Sequence, residues 1–378
     1  MYSVLQVTPA LDAGGVERTT IEMAEAVVRD GGAALVASRG GRLEPDLAAV
    51  GGELIRMPAD TKNPALLAAN ALRIADLARK RGVALIHARS RAPAWSALFA
   101  ARRLKAPFVT TYHGVYNAKG PAKRFYNSVM ARGDIVIANS EFTRQHVLKE
   151  HDVAPERVVA IPRGVDLERF DPAKVQQAHV ESFRRAWNAD AQFVVLLPAR
   201  LTRWKGHRVA IEAARLLKAR GAPIKLVLAG DPQSRFGYVQ ELEAAISAAD
   251  LMGEASIVGH VLDMPAAILA ADAVILPSIE AEAFGRGAIE AGAMGRPVVA
   301  TRLGGLAETI VDGDTGFLIE AGDSEALAAS IEHLQQMGVG GRQAMGARAQ
   351  TRARTLYSKA ALQASTLQVY RQLIGERP

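Results

Sequence analysis

Two α/β domains, each built around a parallel sheet, are the fold this sequence predicts, and three observations lead there. The chain has 378 residues, and at roughly 100–200 residues per domain that length asks for two domains, each burying its own core. Short β-branched apolar runs alternate with helical patterns of about 12–20 residues, the signature of right-handed βαβ crossovers. Hydrophobic residues make up 49% and charged residues 22%, with no low-complexity tract, which excludes disorder.

In chain order, the first half offers strands at residues 4–7, 34–37, 54–57, 84–87, 108–111, 135–138 and 158–161, each followed by a turn or a helix. The second half repeats the pattern at 194–198, 225–229, 255–258, 273–276 and 297–300. Two Rossmann-like sheets follow, with the join expected at residues 161–172, where Pro162, Gly164 and Pro172 interrupt the hydrophobic period. This sets the domains at 1–170 and 171–358. Beyond Asp323 the pattern is helical, and an amphipathic stretch at 359–373 has no strand to pair with, so residues 359–378 are expected to pack back on the first domain. Ligands of open parallel sheets bind outside the carboxyl ends of strands, so two such domains are expected to face a central cleft.

Several classes are excluded by composition. The chain has no cysteine, which removes disulfide-stapled and zinc-thiolate folds and agrees with a reducing compartment. No apolar run approaches the roughly 20 residues that span a bilayer, and nothing at the N-terminus reads as a leader, so a cytoplasmic protein is expected.

The net charge of +7 is uneven: residues 1–180 hold 25 basic against 18 acidic residues, and residues 181–378 hold 21 of each. Between Leu77 and Gly133 there are 12 basic residues and no acidic one, among them Arg79, Lys80, Arg81, Arg102, Arg103, Lys105, Lys119, Lys123 and Arg124. Such a block attracts polyanions, whether lipid headgroups or phosphorylated saccharides. The competing reading is cations placed at helix ends against the macrodipole. Few aromatics interleave with the block, which argues against nucleic acid.

Candidate site residues lie in loops after strands. Gly14-Gly15 follows the first strand and opens a helix, where backbone N–H groups can meet a phosphate. Arg200 and Lys205 follow the strand at 194–198, and two cations there can neutralise a diphosphate. Glu282 and Glu290 flank a helix expected to start at Phe284-Gly285, with Glu290 about two turns inside it and able to accept from a ribose diol. No Gly-x-Gly-x-x-Gly follows any strand, and Gly338-Val-Gly340 reads as a loop between helices, which weakens a dehydrogenase reading. Asp312-Gly313-Asp314 has a metal-binding form, but its Asp-Gly and Thr-Gly steps say turn. No histidine pair has zinc-ligand spacing, and no P-loop or nucleophile elbow occurs.

Taken in order, Gly14-Gly15-Val16-Glu17-Arg18, His113-Gly114, Ala138-Asn139-Ser140, Ile161-Pro162-Arg163-Gly164, Arg200 with Lys205-Gly206, and Glu282-x7-Glu290 resemble the retaining glycosyltransferases of family 4, which have the GT-B fold. The likeness covers nearly the whole chain. It implies that Arg200 and Lys205 hold the donor diphosphate, helped by Gly14, Gly15 and the N–H groups around Phe284 and Gly285. By the same likeness Glu290 binds the ribose, Glu282 and His113 lie beside the transferred sugar, and Gly259-His260-Val261 seats the nucleobase. Two departures stand out: Ala199 precedes the arginine where a glycine is common, and Arg286 replaces an apolar residue. A contact to phosphate and a solvated side chain are both open for Arg286.

The resemblance implies a metal-independent, retaining hexosyltransferase with no cofactor beyond a UDP- or GDP-linked donor. Cations and helix dipoles aimed at the β-phosphate would stabilise charge that develops as the anomeric bond breaks. Domain closure would exclude water. The acceptor is expected to be a saccharide or lipid-linked molecule of lipopolysaccharide or other envelope synthesis, reached from the inner membrane face through the basic block. The alternatives are a soluble small-molecule or sugar-phosphate acceptor and, outside enzymes, an anion-binding scaffold.

Overall fold

The structure, a computed structural model, describes residues 2–12, 14–116, 120–233 and 235–375. It divides into two compact units, one formed by Met1–Pro162 with Lys359–Pro378 and the other by Arg163–Ser358.

The first unit carries seven parallel strands: β1 (Ser3–Val7), β2 (Ala33–Ser38), β3 (Glu53–Arg56), β4 (Val83–Ala88), β5 (Phe108–Tyr112), β6 (Ile135–Ala138) and β7 (Val158–Ala160), in spatial order β3-β2-β1-β4-β5-β6-β7. All neighbours pair in parallel. Helices cover both faces, so strand residues alternate between two cores: Leu5 and Val7 enter one and Val4 the other. That is why these strands read as continuous apolar runs.

The C-terminal helix Lys359–Gly375 belongs to this unit. Its Tyr370 is fully buried, and the hydroxyl lies 2.6 Å from Nδ1 of His87, whose Nε2 is 2.7 Å from Thr111 Oγ1. Burial drives the His87 pKa well below the usual imidazole value, so this ring is neutral. Gln363 adds a bond from Nε2 to the Glu22 carbonyl at 2.7 Å. The helix is thereby held by buried polar bonds as well as by apolar contacts.

The second unit carries β8 (Val194–Pro198), β9 (Lys225–Ala229), β10 (Ala255–Gly259), β11 (Ala273–Leu276), β12 (Val298–Thr301) and β13 (Gly316–Ile319), in order β10-β9-β8-β11-β12-β13, again all parallel. Val194 and Leu196 face one core, Val195 and Leu197 the other. The strand at β13 has no counterpart in the sequence reading. It is four residues long, begins at a glycine, and starts directly after the Gly313 turn, so its apolar run is too short to signal itself.

Both sheets therefore have the doubly wound order in which connections reverse direction beside the first strand, between β1 and β4 and between β8 and β11. Such reversal points open a crevice at the strands' carboxyl ends, where ligands bind. A smaller difference concerns Gly338-Val-Gly340, which lies in the first turn of the helix Gly338–Leu356 rather than in a loop.

Candidate functional site

The reversal point of the second sheet gathers three of the expected residues. Arg200 and Lys205 sit on the connection between β8 and the helix His207–Ala219. Gly206 makes this connection possible: its φ is 75°, and a Cβ there would stand 1.8 Å from the Pro277 carbonyl oxygen. Only glycine lets the loop lie against the chain that leaves β11. Ile279 N–H donates to the Trp204 carbonyl at 2.8 Å and ties the two loops together.

Lys205 Nζ meets Glu282 Oε1 at 2.7 Å, with each side chain 13% exposed. Ser278 Oγ donates to the same Glu282 oxygen, and the Ser278 carbonyl accepts from Thr301 Oγ1 at 2.9 Å. The backbone of Glu282 bridges to Gly304, and its carbonyl accepts from Gly305 N–H at 2.7 Å. Burial pulls the Lys205 pKa below the ordinary lysine value; the attraction of Glu282 opposes this without overcoming it, and the nearby Arg200 charge adds to the lowering. Arg200 itself is exposed.

The helix after Glu282 starts at Arg286, with Gly285 as its N-cap residue and no capping side chain. Glu290 is thus one turn inside the helix, not two. Phe284 is buried edge-on against Tyr357, with ring centroids 5.7 Å apart, so its side chain anchors the loop in the core. Val261 also packs against the core. Arg286 Nε donates to Glu290 Oε1 at 2.8 Å, a carboxylate partner that neither sequence reading of that arginine named.

Gly14, Gly15 and His113 lie in the first unit. Gly14 precedes the helix Gly15–Arg29 with φ 141°, and its carbonyl accepts from Arg18 N–H at 3.1 Å. His113 follows β5, and its carbonyl accepts from Asn139 Nδ2 at 3.4 Å. Ser140 caps the helix Glu141–Glu150 by accepting from Thr143 N–H at 3.0 Å. The Asn139-Ser140 motif therefore shapes the loops around His113.

Two family models together account for most of the chain. Residues 13–169 match the model described as Glycosyltransferase Family 4, and residues 180–352 match Glycosyl transferases group 1. A solved glycosyltransferase from Rickettsia africae is 35% identical, superposes with a TM-score of 0.92, and is covered over 100% of this chain and 99% of its own. The chain belongs to the family 4 and group 1 glycosyltransferases. A D-inositol 3-phosphate glycosyltransferase of Salinispora tropica is 32% identical over 265 residues, 66% of this chain and 53% of that protein. The chain spans about half the length of the curated relatives it matches. An Anabaena protein solved in complex with UDP shares the fold at 23% identity, with a TM-score of 0.86 and coverage of 98% and 100%.

Within this family member, sequence reasoning missed three supporting residues. Ser278 holds Glu282, and a polar residue two positions after a buried strand was the available signal. His207, fully buried beside the Lys205 loop, packs edge-on to Tyr238 at 5.9 Å, and burial pushes its pKa down to about 4. Its ring nitrogens approach the carbonyls of Ala199 and Thr202 without closing a hydrogen bond of ordinary geometry. Arg89, at the reversal point of the first sheet, is 2% exposed and donates through Nε to Gln6 Oε1 at 2.9 Å.

The remaining constellations resolve as structure. Asp312 pairs with Arg302 and accepts from Leu318 N–H at 2.9 Å, and Asp314 lies 2.5 Å from Arg348, so the Asp-x-Asp segment is the turn before β13. Among the described residues no group of acids or histidines is arranged to hold a metal. No described helix is long and apolar enough to cross a membrane. Much of the basic block serves helix ends and ring faces: Arg79, Lys80, Arg102 and Arg103 fall in last turns, Lys105 is a helix C-cap, and Arg81 pairs with Glu53. Arg132 lies 5.3 Å from the Trp95 ring centroid. Lys123 and Arg124 are exposed, and Lys119 lies outside the described residues.

Proposed function

We propose that this protein transfers a hexose from a UDP- or GDP-linked donor to a soluble, phosphorylated small-molecule acceptor, with retention at the anomeric carbon and without a metal. The observation that carries the reading is the buried Lys205–Glu282 pair beside Arg200 at the reversal point of the second sheet. In this reading Arg200 and Lys205 bind the diphosphate and stabilise the charge that grows on its β-phosphate as the anomeric C–O bond breaks. Glu282 takes sugar hydroxyls while sharing Lys205, and Glu290 takes the ribose. The backbone after β10 receives the base. Gly14, Gly15 and His113 are assigned to the donor phosphates and the transferred sugar. The leaving phosphate takes the acceptor's proton as the new bond forms on the same face.

The acceptor class follows the names of the curated relatives, which are D-inositol 3-phosphate glycosyltransferases. They favour the soluble phosphorylated acceptor over the envelope-polysaccharide acceptor expected first. The surplus positive charge of the N-terminal half has the sign such an acceptor needs.

The test is a thermal-shift panel of UDP-, GDP- and ADP-sugars, followed by product analysis with inositol 3-phosphate and with unphosphorylated inositol. One donor should stabilise the protein. Transfer should need the acceptor phosphate, keep the donor's anomeric configuration and survive EDTA. Indifference to every nucleotide would overturn the reading.

A further inference from the structure

Arg286 is the first residue of the helix Arg286–Ala293, with its Nε 2.8 Å from Glu290 Oε1 one turn on. Its position there is unfavourable by helix physics alone. A cation at a helix N-terminus faces the positive end of the macrodipole, and an arginine four residues before a glutamate runs in the weaker direction for such pairs. What the arginine gains is the carboxylate. Glu290 is 18% exposed at its side chain, and Oε2 accepts no hydrogen bond among the described residues. One oxygen is therefore held and the other is open. A guanidinium donating through Nε sets the plane of its partner, which a lysine's point charge does not.

We propose that Arg286 is a positioning residue that holds Glu290 by Oε1 so that Oε2 is turned to accept from a ribose hydroxyl of the donor nucleotide. This rests on the assignment of Glu290 to the ribose made above. An apolar residue at this position leaves the Glu290 side chain to rotate among its rotamers, and each encounter with a nucleotide then bears the cost of ordering it. The arginine removes that cost in advance.

The experiment measures binding of UDP, GDP and ADP, each beside its 2′,3′-dideoxy counterpart, by titration calorimetry on the wild type, R286L, R286K and E290A. The wild type should prefer the ribonucleotide of its cognate base. In R286L that preference should fall about tenfold, toward the E290A value, while affinity for the dideoxynucleotide stays unchanged. R286K should recover part of the preference. Retention of the full wild-type preference in R286L overturns the proposal, and so does tighter ribonucleotide binding by R286L, which would make Arg286 a competitor for the carboxylate. Failure of the wild type to bind any nucleotide, or to distinguish ribose from dideoxyribose, instead overturns the donor-site reading on which this rests.

Discussion

Removing both charges of the Lys205–Glu282 pair should make the protein more stable while cutting its activity by orders of magnitude. The two groups touch at 2.7 Å, yet Lys205 still titrates below the ordinary lysine value because burial outweighs the attraction of Glu282. A lysine depressed in this way binds protons less readily in the folded chain than in the unfolded one. Its charge therefore opposes folding below the folded pKa, and that cost is relieved as pH rises from there toward the unfolded value near 10.5. Two variants separate the contributions. K205A leaves Glu282 with its Ser278 bond but without its cation, which should cost about 3 kcal/mol, near the low end for breaking a buried pair because both groups keep some exposure. K205M combined with E282Q keeps side-chain volume and the Ser278 bond, and should gain about 1 kcal/mol over the wild type. Turnover should drop by about 10²–10³ in both, as when one group that stabilises transition-state charge is removed. Urea unfolding at pH 7 and initial rates with the donor found in the thermal-shift panel provide the readouts. A double variant less stable than the wild type would mean that the pair braces the fold, and near-normal turnover of K205A would remove the lysine from the chemistry.

Two further outcomes follow from the same loop. His207 stays neutral in the folded chain down to about pH 4, while the unfolded chain takes up its proton near 6.5. Stability should therefore be whole above 6.5 and decline as pH falls from 6.5 toward 4, by about 3 kcal/mol from this residue. H207F, which keeps the ring against Tyr238, should lose that part of the acid decline, and equal declines in urea midpoints between pH 7 and 4.5 for variant and wild type would count against it. G206A must move the backbone away from Pro277 and adopt an unfavourable φ, so it should cost about 2 kcal/mol or more and lower the unfolding temperature; an unchanged temperature would contradict the close approach.

Strand positions were legible because the signal is local. At Ile135–Ala138, Val194–Pro198, Lys225–Ala229 and Ala273–Leu276 the apolar runs and the strands have the same bounds, since a strand buried on both faces must be apolar throughout and is bounded where polarity returns. The loops holding Arg200, Lys205 and Glu282 were legible for a related reason: ligand-binding loops follow such strands. The start of the helix at Arg286 was less so, because Phe284-Gly285 carries no capping side chain to mark the boundary.

By itself, then, the chain's order of residues determined the two-sheet α/β architecture, the loops in which chemistry would sit and the family to which those loops point, all of which rest on periodicity and spacing within short windows. Tertiary structure alone decided who touches whom. Lys205 and Glu282 are 77 positions apart in the chain and become partners only because β8 and β11 lie side by side. His207 meets the Tyr238 ring of another helix, and Tyr370 reaches His87 across 283 positions. Burial, which lowers Lys205 and His207 below their ordinary titration ranges, is a sum over such distant neighbours, and no local window contains it.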